Sequence, residues 1–363
     1  MNVLINATNL HHGGGVQVAS SIIYELSRMR VDINFSVFCS DEVYRSLPSD
    51  IDLTKFDLFE IINVYGFFSY NKRVVDISRT QDISLTVFGP CYFKLKSKTN
   101  ITGFAQPWII YKNNPLYDKM SLLKKIKTKL KFKVQEHFFK KSDYLVVEHK
   151  EVLNRLVLEG FNPRNISVIS NTISSPFIQP SLREKINFPD IKEKYVLGFL
   201  GRPYPHKNIS ILKEVNNVLI DKYHLNVGFL FSLSDDEMNK LAFDSLDNFY
   251  SCGVLKNTQC PNFYERIDAL IFPSLLECFS VSPLEAMMMN KLVFASNYSF
   301  IREVYGESVF YFDPLDAENI ANVIAGNLLL DNKERIKVGN NLCVNMCTAR
   351  QRAESYIDLF NEI

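Results

Sequence analysis

Short apolar runs alternate with segments of helical periodicity along nearly the whole chain. Apolar runs of this length are typical of strands buried on both faces, and the segments between them repeat apolar residues at helical spacing. In the first half, the predicted strands are residues 3–5, 33–38, 58–62, 83–88, 101–104, 144–147 and 166–169. The predicted helices there are 16–29, 70–78, 119–140 and 150–159. The alternation predicts an α/β fold with parallel sheets.

A polar segment at 174–190 contains three prolines and is predicted to be a linker, after which the same pattern starts again. The predicted strands are then 196–200, 226–231, 269–272, 292–295 and 309–312. The predicted helices are 209–221, 235–243, 283–289, 317–329, 333–346 and 349–360. We therefore predict two tandem, doubly wound, Rossmann-like domains at 1–173 and 191–347, which face each other across a shared ligand cleft. The last helix, 348–363, is expected to cross back to the first domain.

Composition narrows the class of protein. The chain has 363 residues, enough for two domains at roughly 150 residues each. Its net charge of +1 gives no global indication of nucleic-acid binding. Seven cysteines without zinc or thioredoxin spacing favour a reducing compartment. No leader or membrane-spanning apolar run is visible, so we expect a cytoplasmic protein.

The most informative motif follows the predicted strand 269–272. Glu277 and Glu285 lie eight residues apart, the first in a strand-to-helix loop and the second in the first turn of the next helix. Ionised carboxylates at such places suit hydroxyl-rich ligands, because each oxygen accepts charge-assisted hydrogen bonds. Backbone N–H groups from about Ser280 to Ser282 suit a phosphate. A structural reading of Glu285 also stays open, since residues 282–285 have the sequence of a capping box.

A second motif, residues 201–208, follows the predicted strand 196–200. It carries Arg202 and Lys207 in a short turn with two prolines, and Asn208 is predicted to cap a helix that begins at Ile209. A cation at a helix start is disfavoured by the helix dipole unless an anion binds there. The two cations could neutralise a departing diphosphate, although a solvated loop is the alternative.

A third motif lies between the first strand and the first helix. His11 and His12 precede three glycines, among them Gly14 and Gly15, that allow close approach of backbone to a ligand. This is not the dinucleotide-binding fingerprint. We interpret the histidines as candidates for acceptor binding, with an ordinary flexible turn as the alternative.

Taken together, Gly-Arg-x4-Lys and Glu-x7-Glu followed by Ala-Met, in the second of two Rossmann-like domains, resemble the family 4 retaining glycosyltransferases of the GT-B fold. The resemblance spans almost the whole chain. It implies that Arg202 and Lys207 clamp the diphosphate of a nucleotide sugar, that Glu277 holds the transferred sugar, and that Glu285 holds the ribose. The remaining donor-binding residues that it implies are Phe279, Ser280, Val281, Val254, Gly14, Gly15 and Asn171.

The chain departs from the family pattern at two places. Gln106 stands where many members carry a histidine that faces the reacting sugar, and glutamine cannot act as a base. We keep Gln106 among the catalytic candidates because its carbonyl can orient towards positive charge. Residues 170–173, which include Asn171, resemble the family's Pro-Asn-Gly loop but lack its proline and glycine.

The charge of the chain is uneven. Nine lysines and one glutamate lie between Lys119 and Lys141, interleaved with apolar residues. The segment is either a solvated helix face or a surface that docks on an anionic membrane, where each lysine contributes about 1 kcal/mol. We expect a peripheral position at the inner face of the cytoplasmic membrane.

The sequence thus predicts a retaining, metal-independent hexosyltransferase that uses a UDP- or GDP-linked sugar and no cofactor. The expected acceptor is a lipid-linked (polyprenyl diphosphate) oligosaccharide of O-antigen or lipopolysaccharide synthesis. Two alternatives stay open: a nucleotide-sugar epimerase of the same fold, and a non-catalytic nucleotide-sugar or glycan-binding partner. The Asp50-Ile51-Asp52 triplet is interpreted as a polar turn and not as a metal site.

Overall fold

A computed structural model describes the whole chain, Met1–Ile363, and divides it into two units. Unit 1 comprises Met1–Asn113, Met120–Thr172 and Cys347–Ile363. Unit 2 comprises Asn114–Lys119 and Ile173–Met346. The segment expected to be a linker, 174–190, is grouped with unit 2, and the last helix is grouped with unit 1.

Unit 1 is built on a parallel sheet of seven strands. The strands are β1 (Asn2–Ala7), β2 (Asn34–Cys39), β3 (Leu58–Ile61), β4 (Ile83–Thr86), β5 (Thr99–Phe104), β6 (Tyr144–Val147) and β7 (Ile166–Val168). Their order across the sheet is β3-β2-β1-β4-β5-β6-β7. The helices are α1 (Gly14–Ser27), α2 (Asp41–Arg45), α3 (Lys72–Ser78), α4 (Pro107–Ile110), α5 (Leu122–Phe139), α6 (Lys150–Leu158) and the C-terminal α15 (Ala349–Glu362).

Unit 2 repeats the plan with six parallel strands. They are β8 (Val196–Phe199), β9 (Gly228–Phe231), β10 (Phe249–Ser251), β11 (Ala269–Phe272), β12 (Leu292–Ser296) and β13 (Phe310–Phe312), in the order β10-β9-β8-β11-β12-β13. The helices are α7 (Ser175–Ile178), α8 (Leu212–Asp221), α9 (Asp235–Lys240), α10 (Cys260–Arg266), α11 (Ser282–Met288), α12 (Ser299–Tyr305), α13 (Ala317–Asn327) and α14 (Lys333–Asn345). The prediction of two Rossmann-like α/β domains is confirmed.

The strands are nearly continuous apolar runs because both faces of each sheet are covered. In β11 all four residues are buried, and Phe229 and Phe231 of β9 are fully buried in the same core. Gly103 of β5 is required by close approach, since a Cβ there would lie 1.8 Å from the carbonyl oxygen of Val87. None of the helices combines the length and apolar character needed to cross a bilayer.

The structure corrects several details of the sequence analysis. Five short helices, α2, α4, α7, α10 and α12, are absent from the predicted ones. Strand β10 was not predicted, because Phe249–Ser251 is only three residues long and its last residue is a serine. Asn208 does not cap a helix with its side chain: its φ is 53°, in the left-handed region, and its Nδ2 donates to the carbonyl oxygen of Pro314 at 2.7 Å. A 3-10 turn, Ile209–Ile211, follows it, and α8 begins only at Leu212. The predicted side-chain cap is therefore wrong, while the helical segment still begins at Ile209, so an anion beside Lys207 stays a prediction.

Candidate functional site

The two charged motifs of unit 2 meet at one edge of its sheet. Strands β8 and β11 are hydrogen-bonded neighbours that run in parallel, so the loops that follow them leave the sheet side by side. The Leu275 N–H donates to the carbonyl oxygen of His206 at 2.7 Å and ties the loops together. This edge is where open α/β sheets bind ligands.

The centre of this edge is an ion pair between Lys207 and Glu277. The distance from Lys207 Nζ to Glu277 Oε1 is 2.5 Å, and the two side chains are only 16% and 11% exposed. Lys207 Nζ also lies 5.1 Å from the centroid of the Phe272 ring, at the end of β11. A charge pair that is largely removed from water holds a fixed geometry and acts strongly on a neighbouring charge.

The adjacent His206 is half-buried next to this pair. Burial lowers the pKa of its imidazole; the nearby Glu277 carboxylate opposes that shift and the Lys207 ammonium adds to it. The ring stacks on Tyr204 with centroids 5.5 Å apart. Around neutral pH the imidazole is thus favoured in its uncharged form, and the net charge at this point is set by Lys207 and Glu277.

Arg202 is held by a different carboxylate. Its Nη2 lies 3.1 Å from Glu237 Oε1, and the other oxygen of Glu237 accepts from the N–H of Ser234 at 3.0 Å, in the capping box of α9. The sequence analysis did not single out Glu237. Its capping-box spacing was readable, but nothing in the sequence places it beside Arg202.

Glu285 is buried in the first turn of α11. Its Oε2 accepts a hydrogen bond from the Tyr264 hydroxyl at 2.9 Å, and that hydroxyl lies 3.1 Å from the carbonyl oxygen of Ser282. Burial raises the pKa of Glu285 to about 7, and the bond from Tyr264 opposes the shift. The capping-box reading is wrong, because no side chain caps α11 and Glu285 bonds to α10 instead. Tyr264 is a second residue that the sequence analysis missed.

The loop between these carboxylates contains three more of the predicted donor-binding residues. Phe279 is buried, Ser280 and Val281 are half-buried, and the carbonyl oxygen of Ser280 accepts from the Tyr305 hydroxyl. Val254 is 56% exposed and follows Gly253, whose φ is +76°. The structure thus brings Lys207 and Glu277 into contact and joins their loops, while Val254 lies on the loop after β10.

In unit 1, the glycine-rich loop leads into α1. Gly13 has a φ of +73°, Gly14 and Gly15 form the first turn of the helix, and a Cβ added to Gly14 would meet nothing within 4 Å. His11 Nε2 lies 3.0 Å from the carbonyl oxygen of Val64, and its ring stacks on Tyr65 with centroids 4.0 Å apart. His12 is exposed.

A cavity of about 710 Å³ lies in unit 1 beside this loop. The carboxyl end of β1, the loop that follows β3, the segment after β4 and helix α5 form its walls. Its lining residues are Asn6, Thr8, Asn9, His11, Val64, Tyr65, Gly66, Phe67, Ser69, Gly89, Pro90, Cys91, Tyr92, Phe93, Lys127, Leu130, Lys131, Val134 and Gln135. Of the residues predicted in unit 1, the structure places His11 on this cavity, together with Lys127 and Lys131 of the basic segment.

The other two candidates of unit 1 lie elsewhere along its sheet. Gln106 is half-buried and precedes α4, two residues after β5 ends. Asn171 is buried, and its Oδ1 accepts from Arg352 of α15 at 2.7 Å and from the N–H of Thr172 at 2.8 Å. Arg352 also donates to the Ser21 hydroxyl of α1 at 2.7 Å. Asn171 thus holds the C-terminal helix within unit 1, and a donor-binding role for it stays a prediction.

The structure gives the Asp50-Ile51-Asp52 triplet other partners. Asp50 accepts from the Tyr24 hydroxyl at 2.8 Å, and Asp52 accepts from the N–H of Thr54 at 3.0 Å. No group of three or more histidine, cysteine, aspartate and glutamate side chains is arranged to hold a metal ion.

Comparison with known proteins adds to this geometry. Residues 179–342, all within unit 2, match the profile of the family described as "Glycosyl transferases group 1". O-antigen chain mannosyltransferase RfbU of Salmonella typhimurium is 30% identical over 170 residues, 44% of this chain and 43% of RfbU. Serotype-specific mannosyltransferase WbdA of Escherichia coli is 27% identical over 152 residues, 40% of this chain and 18% of WbdA. The alignments therefore span less than half of either relative.

The solved structures extend the likeness over both units. Anabaena Alr3699/HepE, in a crystal structure with UDP-glucose, superposes with a TM-score of 0.71 at 13% identity. The superposition covers 100% of this chain and 99% of that one. At this identity the likeness concerns the fold, and it confirms the predicted GT-B architecture of two parallel-sheet domains.

Proposed function

We propose that the protein is a glycosyltransferase that moves a sugar from a nucleotide-sugar donor bound by unit 2. The largely buried Lys207–Glu277 pair carries the proposal, because it sets a cation and a carboxylate 2.5 Å apart inside the region that matches the glycosyl transferases group 1 profile. A nucleotide sugar presents that combination of chemistries, an anionic diphosphate next to a hydroxyl-rich ring. Fixed charges need no reorganisation when the leaving group gains charge.

In this proposal Lys207 and Arg202 neutralise the diphosphate, Glu277 accepts from the hydroxyls of the transferred sugar, and Glu285 accepts from the ribose. Backbone amides of Ser280 and Val281 bind phosphate, and Phe279 and Val254 lie near the base. Glu237 and Tyr264 are positioning residues, since they bond to Arg202 and Glu285 and not to the donor.

The proposed reaction retains the anomeric configuration. The bond between the anomeric carbon and the diphosphate oxygen breaks as the acceptor oxygen attacks from the same face, and the freed phosphate oxygen takes the acceptor's proton. Positive charge develops on the sugar in such transfers. No protein base is needed, which agrees with glutamine at position 106. Arg202 and Lys207 supply the cationic charge, so the proposal includes independence from divalent metal, and transfer should persist in excess EDTA.

The names of the relatives suggest the substrates. RfbU and WbdA are mannosyltransferases of O-antigen or serotype-specific synthesis, and Alr3699/HepE was solved with UDP-glucose. We therefore propose a hexose such as mannose, carried on GDP or UDP, and a polyprenyl-diphosphate-linked oligosaccharide acceptor. Gly14 and Gly15 are proposed to approach the donor, His11 and His12 to approach the acceptor, and the segment from Lys119 to Lys141 to bind the anionic membrane surface that presents it.

Calorimetric titration with GDP-mannose, UDP-glucose and an ADP-sugar tests the proposal. We expect one nucleotide to bind and Arg202→Ala to weaken its binding by about tenfold or more, as loss of a charge-assisted contact implies. Glu318→Gln removes the partner of Lys222 in an exposed ion pair of the same unit and serves as the matched control. Absence of binding to all three nucleotides, with and without acceptor lipid, would overturn the proposal.

A further inference from the structure

A buried tyrosine holds the loop between β11 and α11. Tyr305, the last residue of α12, is 2% exposed, and its hydroxyl donates to the carbonyl oxygen of Ser280. The backbone of Tyr305 is held in turn, since its own carbonyl oxygen accepts from the hydroxyl of the buried Ser308. The Ser280 carbonyl therefore points towards a side chain that is packed inside unit 2.

This hydrogen bond also sets the direction of one backbone N–H. The carbonyl of Ser280 and the N–H of Val281 belong to the same peptide unit, which is trans. In a trans peptide unit the two groups lie in one plane and point in opposite directions. The Val281 N–H is therefore directed away from the buried Tyr305. It donates to no other group of the chain, so it is free to bind a ligand.

A second tyrosine makes a similar contact without this consequence. The Tyr264 hydroxyl lies 3.1 Å from the carbonyl oxygen of Ser282. The nitrogen of that peptide unit belongs to Pro283, and proline has no N–H. Of the two contacts between a tyrosine and a backbone carbonyl near the start of α11, that of Tyr305 is thus the one that orients a hydrogen-bond donor.

We propose that Tyr305 is a positioning residue for the diphosphate of the donor. Its hydroxyl holds the Ser280 carbonyl, and the Val281 N–H is thereby aimed at a phosphate oxygen. A hydrogen bond from an N–H to an anionic oxygen is strong and weakens steeply when the angle is poor. A donor that is aimed beforehand needs no reordering when the anion binds. This inference rests on the proposed function, in which the amides of Ser280 and Val281 bind phosphate.

Tyr305→Phe tests this role, because it removes one hydroxyl and keeps the ring. Calorimetry measures the affinity for GDP, UDP or ADP, whichever binds to wild type, and a displacement titration measures that of the parent nucleoside. We expect the affinity for the diphosphate to fall by about tenfold, as for a weakened bond to a charged group. The affinity for the nucleoside should stay that of wild type, because the nucleoside carries no phosphate.

Tyr311→Phe is the matched control. It also removes a tyrosine hydroxyl that donates to a backbone carbonyl, that of Gly306 at 2.6 Å, and should leave both affinities unchanged. Equal losses of diphosphate and nucleoside affinity in Tyr305→Phe would overturn the proposal, since they would mean that Tyr305 only maintains the fold of unit 2.

A second variant removes the amide itself. Val281 has a φ of −83°, close to the value that proline fixes, so Val281→Pro deletes the N–H with little change in φ. It should weaken diphosphate binding at least as much as Tyr305→Phe does. If Tyr305 acts through the Val281 N–H, the double variant should bind no more weakly than Val281→Pro alone. Additive losses would mean that Tyr305 acts through another group and would overturn the proposal.

The two proposals fail in different ways. If none of GDP, UDP and ADP binds to wild type, the proposed donor site is lost, and the role of Tyr305 is lost with it. If one of them binds and Tyr305→Phe keeps the wild-type affinity, only the positioning role is lost and the donor site stands.

Discussion

The candidate site of unit 2 and the cavity of unit 1 differ in the charges that they hold. In unit 2 the charges are paired before any ligand enters, Lys207 with Glu277 and Arg202 with Glu237. In unit 1 the amide oxygens of Gln135 and Asn9 are buried without partners, and in unit 2 the same holds for two neutral hydroxyls, those of Thr258 and Ser274. The paired set lies within residues 179–342, which match a family profile, and the cavity lies outside them.

The ion pairs of unit 2 hold its charged side chains in a fixed geometry, whereas the cavity of unit 1 contains no such pair among the residues named above. A site that stabilises a leaving diphosphate gains most from charges held in place, and buried partners hold them. The unpartnered groups named in unit 1 are neutral amides, which hold no charge in place. We expect the largest effect on activity at the ion pair of Lys207 and Glu277 in unit 2.

The largest effect is expected at Glu277. Glu277→Gln keeps the shape of the side chain but removes the negative charge beside Lys207, so we expect the transfer rate to fall by about 10³-fold. Steady-state transfer of labelled sugar measures the loss, and circular dichroism checks that the fold is kept. Glu318→Gln should leave the rate unchanged. A Glu277→Gln enzyme with the wild-type rate would show that the pair is structural.

The next effect concerns the pH dependence of Glu285. Because its pKa is raised from 4.5 to about 7, the folded protein keeps a proton that the unfolded chain has released. The free energy of unfolding therefore falls as the pH rises through this window, by at most about 3 kcal/mol, and Glu285→Gln should flatten the slope. Urea denaturation between pH 5 and 8 measures it. A slope that survives in Glu285→Gln would assign it to another group.

The same ionisation predicts a change in donor affinity. Only the ionised Glu285 accepts hydrogen bonds with both oxygens, so nucleotide binding should strengthen by about tenfold from pH 6 to pH 8. Tyr264→Phe removes the one hydrogen bond that lowers the pKa of Glu285, and the rise should then shift to higher pH. Calorimetric titration across this range measures both curves. An unchanged midpoint in Tyr264→Phe would contradict the positioning role of Tyr264.

In unit 1, a substitution of Asn171 is expected to affect the stability of the fold more than the binding of the donor. Asn171→Ala leaves buried Arg352 without one of its acceptors, so we expect a loss of about 2 kcal/mol in the free energy of unfolding. This loss should exceed any change in the free energy of donor binding. Thermal unfolding and calorimetry, done on the same preparation, measure the two quantities. A larger loss of donor affinity would instead support the donor-binding role.

The smallest effect is expected at Glu237. Glu237→Gln weakens the hold on Arg202, whose side chain is 37% exposed and regains solvent, so the KM for the donor should rise only a few-fold, with little change in kcat. Steady-state kinetics separates the two constants. A fall in kcat with constant KM would mean that Glu237 acts in the transition state and not by positioning Arg202.

The sequence by itself determined the fold class, most strands and helices, and the two charged motifs of unit 2. Periodicity is a local property, so an apolar run such as Ala269–Phe272 predicts a strand even when the neighbouring strands of the sheet are unknown. Sequence also indicated which residue types could bind a nucleotide sugar. It could not give their partners, because a salt bridge across seventy residues, such as Lys207 with Glu277, depends on which strands are neighbours.

Only the tertiary structure decided the remaining features. It turned the apparent capping box of Glu285 into a buried bond with Tyr264, and it gave Asn208 a left-handed backbone in place of a helix cap. It also brought the Phe67 ring against Phe138 of α5, although the two residues lie far apart in the chain. The physical reason is common to all three. Packing between segments that are far apart in the chain decides which groups form hydrogen bonds and which apolar side chains stay exposed to water. The local pattern of residues contains neither piece of information.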